Sequence, residues 1–263
     1  MSIKKRRMAL TLAAAVIACS ATAVAAIKYL SPSEVAKEAT DKSLAEAFQS
    51  ENAVYVNETQ EYGGYKVTFL GTISGKGLSD YAAQSGGEIL DDRTYAVTAI
   101  EKADGTEMSY EDEVSFLATP VIKGLNPVRF NAFTLNGGYS EFYQDGILYR
   151  ITECDNVEVF ADRGAYLAVM DSMGYNINAY NFDEATGELT RNEDYDGLNA
   201  LFELPLDESK SDAMAAQSII DDINAFWDTD SETDDEELSE ADGDVQIVLT
   251  ENENGEIEAK EVK

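Results

Sequence analysis

Short runs in which apolar and polar residues alternate, each closed by Gly or Asp, constrain this chain more than any other feature. Val54 and Val56 alternate with polar neighbours, Tyr65, Val67 and Phe69 do so after Gly63-Gly64, and Tyr95, Val97 and Ala99 do so before Asp104-Gly105. A period of two sends successive side chains to opposite faces of a strand, so the pattern predicts half-buried antiparallel strands. Further strands are expected over 115–122, 128–135, 156–161, 165–170 and 175–182. Residues 141–151 read as a hairpin, because Asp145-Gly146 supplies the two positive φ angles of a type I′ turn between Phe142-Tyr143-Gln144 and Ile147-Leu148-Tyr149. Eight or so short strands at this spacing predict a mainly β fold, an immunoglobulin-like antiparallel sandwich spanning 53–206.

Helical patterns flank the strands. Ser31, Pro32 and Glu34 match the N-cap, N1 and N3 positions of a capping box. They open a juxtamembrane helix expected over 31–52, which would space the domain from the lipid. A second helix is expected over 211–227, capped by Asp212, with Ala216, Ile219, Ile220, Ile223, Phe226 and Trp227 on one face. Trp227 is the single tryptophan and is expected to dock that helix onto the sandwich. The remainder, 228–263, reads as an acidic disordered tail: Asp228 to Asp244 holds 10 carboxylates in 17 residues and no base. Val245–Leu249 and Ile257–Val262 could pair around Asn254-Gly255, although an isolated hairpin is marginal in water.

The N-terminus speaks to compartment. Residues 1–7 form a basic stub containing Lys4, Lys5, Arg6 and Arg7, and Met8 to Ile27 then run for 20 positions without a charge before Lys28. A helix of that length spans about 30 Å, the thickness of a bilayer's hydrocarbon core. The basic flank is expected in the cytoplasm and everything after Lys28 outside it. Residues 8–28 are thus a transmembrane or signal segment. Ala23-Val24-Ala25 also fits a signal-peptidase site, and Val16-Ile17-Ala18-Cys19 loosely fits a lipidation box, so a secreted protein or a lipoprotein through Cys19 stand as alternatives. Cys154 is then the only exported cysteine, and no intrachain disulfide can form there, which suits a Gram-positive surface protein. Glu153 and Asp155 disfavour its thiolate, so a partly buried strand residue is expected rather than a nucleophile.

Charge and composition exclude several function classes. With 51 acidic against 19 basic residues and a net charge of −32, the chain repels nucleic-acid phosphates. It contains no histidine, which removes the Ser-His-Asp triad, the Cys-His pair and His-ligated zinc. The 71–77 segment, GTISGKG, lacks the Walker pattern and reads as a strand-end turn; Ser74 and Lys76 within it are not expected to form a nucleophilic pair. No catalytic or cofactor-binding residue is assigned, and an enzyme is not expected. Asp228, Asp230 and Glu232 begin like an EF-hand loop, but Thr233 replaces the turn glycine and Ser239 the bidentate glutamate, so they are metal candidates only in name. Tyr180, Phe182, Arg191 and Tyr195 frame the 183–188 turn and could form a rim for a glycan or peptide, though an ordinary hairpin explains them as well.

One series of segments carries a family resemblance. After the basic cluster and the Ala-rich span come residues 26–35 (AIKYLSPSEV), 56–60 (VNETQ) and 64–76 (GYKVTFLGTISGK). This series resembles a domain-of-unknown-function family that forms the extracytoplasmic part of anti-sigma-factor-like, single-pass membrane proteins of Gram-positive bacteria, most closely over about residues 8–125. The resemblance implies a β-sandwich ectodomain on an anchor, with no catalytic residues to carry over. Only seven residues precede the span, too few for a cytoplasmic sigma-binding segment, so direct anti-sigma activity is not expected of the chain as written. The expectation is a non-catalytic envelope binding or sensing domain, meeting an unknown envelope ligand or protein and the membrane through 8–27. The alternatives are a carboxylate-dependent envelope hydrolase and an acidic structural or cation-binding surface protein.

Overall fold

The computed structural model describes residues 29–81, 83–85, 87–233, 246–251 and 257–262. In chain order its helices are α1 (Pro32–Glu38), α2 (Lys42–Ala47) and α3 (Ala213–Thr233). Its strands are β1 (Val54–Tyr62), β2 (Tyr65–Lys76), β3 (Ala83–Ser85), β4 (Glu88–Leu90), β5 (Asp92–Lys102), β6 (Leu117–Ile122), β7 (Gly138–Gln144) and β8 (Ile147–Asp155). They continue with β9 (Ala165–Met170), β10 (Tyr180–Asp183), β11 (Glu188–Arg191), β12 (Asn199–Leu204), β13 (Gln246–Glu251) and β14 (Ile257–Val262).

Five strands form one antiparallel sheet in the order β1-β2-β5-β8-β7, and three form a second in the order β12-β9-β6. The sheets share a core in which Val67, Phe69, Ile100 and Leu148 of the first meet Ile122, Leu167, Val169 and Phe202 of the second. The outer face of the five-stranded sheet is covered by α1 and α2, where Val35, Leu44 and Phe48 pack on Leu70, Val97 and Tyr149. The outer face of the three-stranded sheet is covered by the β10–β11 hairpin through Ala179, Tyr180 and Leu189. The result is four layers.

Layering overturns the expectation of half-buried strands. Arg93 through Glu101 of β5 are all buried: Tyr95, Val97 and Ala99 meet the helices, while Ala96 and Ile100 meet the second sheet. Threonines at buried positions (Thr68, Thr94, Thr98, Thr119 and Thr152) produce an alternation that resembles solvent exposure. Likewise, 31–52 is not one spacer helix. The chain breaks after α1, Thr40 adopts φ 66°, and Asp41 caps α2, so that both short helices fold flat onto the sheet. The expected capping box at Ser31 is present.

The Asp145-Gly146 turn forms as expected, with φ of 53° and 75° joining β7 to β8. Two expected strands do not form. Residues 128–135 are a series of turns, in which the Asn126 carboxamide oxygen accepts from Val128 N (2.9 Å) and that of Asn131 from Phe133 N (3.0 Å). Residues 157–160 form a single 3₁₀ turn capped by the Asn156 side chain. Among the described residues no helix is long and apolar enough to cross a bilayer, and the 8–27 run lies outside them. β13 and β14 pair antiparallel, with Leu249 opposite Ala259. Residues 228–233, expected to be disordered, continue α3; 234–245 lie outside the described residues.

Candidate functional site

A groove of about 610 Å³ lies between α3 and the turns at 126–137. The helix starts where Asp212 caps it, its carboxylate accepting from Met214 N (3.0 Å) and Ala215 N (3.1 Å). Its inner stripe, Ala216, Ile220, Ile223 and Trp227, packs on the common core. Trp227 thus docks the helix as anticipated, but Phe226, expected on the same face, is 60% exposed. The reason is angular: at 100° per residue Phe226 falls beside Ile219, at the margin of the stripe. These two residues, with Asp222 and Ile223, make the helical wall of the groove.

The opposite wall is built by the turns. Asn131 organises them: its carboxamide nitrogen donates to Pro127 O (3.2 Å) and Val128 O (2.9 Å). Ala132 N donates to the Thr119 hydroxyl of β6 (2.7 Å). Phe130, Ala132 and Leu135 are drawn into the core, which leaves Phe133 outward and 51% exposed over the groove.

A buried arginine supports the floor. Arg93, 1% exposed, donates from Nη1 to Asp155 Oδ1 (2.6 Å) and from Nη2 to the Asn136 carbonyl (2.7 Å). Its Nε lies 3.6 Å from Glu153 Oε2. Asn136, held at φ 51°, donates from its carboxamide to Asp155 Oδ2 (2.7 Å). Both oxygens of Asp155 are therefore occupied, and the groove has apolar walls, a fixed polar floor and an exposed carboxylate, Asp222, on its helical side. Sequence reasoning did not single out Arg93, Phe133, Asn136 or Asp155. An arginine within an otherwise apolar strand pattern was the available signal for the first.

The residues expected to form a ligand rim do not converge on an opening. Tyr180 is 3% exposed and its hydroxyl lies 3.0 Å from Val169 O and 2.7 Å from Ala200 O, while burial holds its pKa well above the usual tyrosine range. Phe182 packs in the same outer core. Arg191 stacks over Tyr62 (3.2 Å to the ring centroid) and donates to Asn199, and Tyr195 donates its hydroxyl to Asp171 (2.9 Å). These residues fasten the hairpin to the sheet. Arg191 and Tyr195 keep partial exposure.

Asp228, Asp230 and Glu232 lie on the last turns of α3 rather than in a loop. Among the described residues no group of acidic or thiol side chains could hold a metal ion. Asp228 pairs instead with Arg129 (3.7 Å). Cys154 is fully buried in β8, deeper than expected, and burial pushes its thiol up to about 12. Ser74 shares a hydrogen bond with Thr94 (2.8 Å) across the sheet, and Lys76 ends β2 beside it. Comparison of the chain with protein-family models, curated proteins and solved structures finds no match.

Proposed function

We propose that this chain is a non-catalytic binding or sensing domain, held on the outer side of the cell membrane by the 8–27 run and similar in plan to the anti-sigma-factor-like proteins it resembles. The groove between α3 and the 126–137 turns carries the binding half of this reading. Its volume and its apolar lining with few fixed polar groups are those of a ligand seat. The ionisable groups lining it are Asp155, already bonded to Arg93 and Asn136, and the exposed Asp222. The Cys154 thiol is buried, and burial pushes its pKa up to about 12, which keeps it protonated.

The junction with the apolar run supports attachment. Tyr29 donates its hydroxyl to Glu101 (3.1 Å) and Leu30 N donates to the Tyr149 hydroxyl (3.2 Å), so the body begins within two residues of Lys28. A domain tied this closely is suited to an anchor rather than a long polar tether. The immunoglobulin-like assignment belongs to the same proposal. The chain's passage from β5 to β6 in the second sheet and back to β7 favours it, whereas the β1-β2-β5 meander has no counterpart in the four-plus-three order of constant domains.

Protease added to intact Gram-positive cells expressing the chain tests the topology. Digestion of the β body without lysis is expected, and full protection of an intact chain in the soluble fraction would refute it.

A further inference from the structure

The groove's surroundings define what it would hold. From Ser211 to Ala259 the chain has no lysine or arginine, and α3 alone carries Asp221, Asp222, Asp228, Asp230 and Glu232. Arg129, on the turn side, is engaged by Asp228 (3.7 Å) and by the Asn224 carboxamide oxygen (3.4 Å). Phe133 and Phe226 stand more than half exposed on opposite walls, with Ile219 and Ile223 on the helical wall beside Phe226. An apolar slot within an anionic field selects against two otherwise plausible occupants. A second copy of this chain would bring its own net charge of −32, and the chain's tail would bring 10 carboxylates between Asp228 and Asp244.

Resting on the binding-domain reading above, we propose that the groove seats a basic amphipathic helix of a partner peptide or protein. From Ile219 to Phe226 the helical wall extends about 10 Å, two helical turns. That length accepts apolar anchors spaced i, i+3 or i+4 and i+7 on a docked helix, the usual helix-in-groove arrangement. Its apolar side chains enter between Phe133 and Phe226. Its lysines or arginines face Asp222 and the neighbouring carboxylates of α3, while the bonded Asp155–Asn136 pair forms the floor.

The protein carries its own reporter. Trp227, the only tryptophan, lies 6.2 Å from Phe226, edge to face at 82°. Full-length protein in zwitterionic nanodiscs is titrated with an 18-residue Leu/Lys amphipathic peptide and with versions carrying Glu or Gln in place of Lys. The expected result is a saturable, one-to-one change in Trp227 emission with the Leu/Lys peptide and none with the Leu/Glu peptide. Phe133→Ser with Phe226→Ser is expected to weaken binding roughly tenfold, and Asp222→Asn roughly threefold. Affinity should fall as salt rises from about 50 to about 300 mM. Both phenylalanines are largely exposed, and an unchanged melting temperature checks that the variants fold. Binding untouched by the double Phe variant would place the peptide on the acidic tail and overturn the proposal. Equal affinity for the Leu/Gln peptide at the groove would overturn the cationic requirement yet leave a binding domain. No response to any peptide would overturn the proposed partner, while the protease experiment decides the envelope reading separately.

Discussion

Replacing Arg93 with methionine removes the cation that joins β5, β8 and the wall of the groove. The guanidinium is 1% exposed and makes two charge-assisted bonds, at 2.6 Å to Asp155 and 2.7 Å to the Asn136 carbonyl. Each such bond contributes roughly 1.5–3 kcal/mol. The side chains of Asp155 and Glu153 are 23% and 29% exposed, so water re-solvates part of what is released, and methionine fills much of the vacated volume. The expected loss is about 3 kcal/mol, at the lower edge of the ~3–5 kcal/mol seen when one partner of a buried pair is removed. In a domain of this size each kcal/mol moves the midpoint by about 2–4 °C, so thermal unfolding followed by circular dichroism should shift down by about 6–12 °C. Arg93→Met combined with Asp155→Asn should cost less than the sum of the two single changes, because the double variant no longer leaves the Asp155 carboxylate charged and unpaired. A loss under about 1 kcal/mol, or strict additivity, would refute the idea that this arginine pins the floor.

Three further outcomes are expected. Gly63, at φ +56°, leaves no room for a side chain, since a Cβ would sit 2.1 Å from the Gly197 carbonyl carbon; neighbouring Gly64, at φ +79°, faces open space. Gly63→Ala should therefore abolish soluble expression or lower the midpoint far more than Gly64→Ala, which should cost about 1 kcal/mol; equal effects would contradict the packing. Asn199 is fully buried, donates to Ala179 O (2.9 Å) and Asn192 O (2.8 Å), and accepts from Arg191 (3.0 Å). Asn199→Leu should cost roughly 3 kcal/mol in urea unfolding, and a neutral result would remove its role as the hairpin's fastening. Tyr95 is pushed up to about 12, first by burial and then by Glu153, from an ordinary value near 10. The unfolded chain loses that proton first, so the stabilisation is complete below about pH 10 and disappears as pH rises through about 12. The 295 nm titration step that is lost in Tyr95→Phe should coincide with unfolding, whereas that step appearing near pH 10 in a still-folded protein would contradict it.

How much of this was legible beforehand follows the range of the interactions. The Asp145-Gly146 turn, the capping box at Ser31 and Glu34, the Asp212 cap and the strand at 165–170 all depend on neighbours a few residues away, and all were readable. The 128–135 segment misled because its alternation is real, but Asn126 and Asn131 turn their side chains onto the local backbone and close it into turns. The supposed ligand rim misled for a different reason. Tyr180 and Phe182 carry the pattern of an exposed hairpin, and no local feature records that another sheet lies beneath them.

From the sequence alone came the β character, the principal turns and caps, the acidic balance and the lack of imidazole chemistry, since each is a property of composition or of adjacent residues. Only the tertiary structure decided that β5 is covered on both faces, that Tyr180 points inward, and that Phe133, Asp155 and Phe226 border one groove. Covering a face or leaving a cavity requires segments far apart in the chain to meet, as Arg93 and Asp155 do across 62 positions. Periodicity reports which residues share a side of a strand or helix; it carries no record of what arrives to pack against that side.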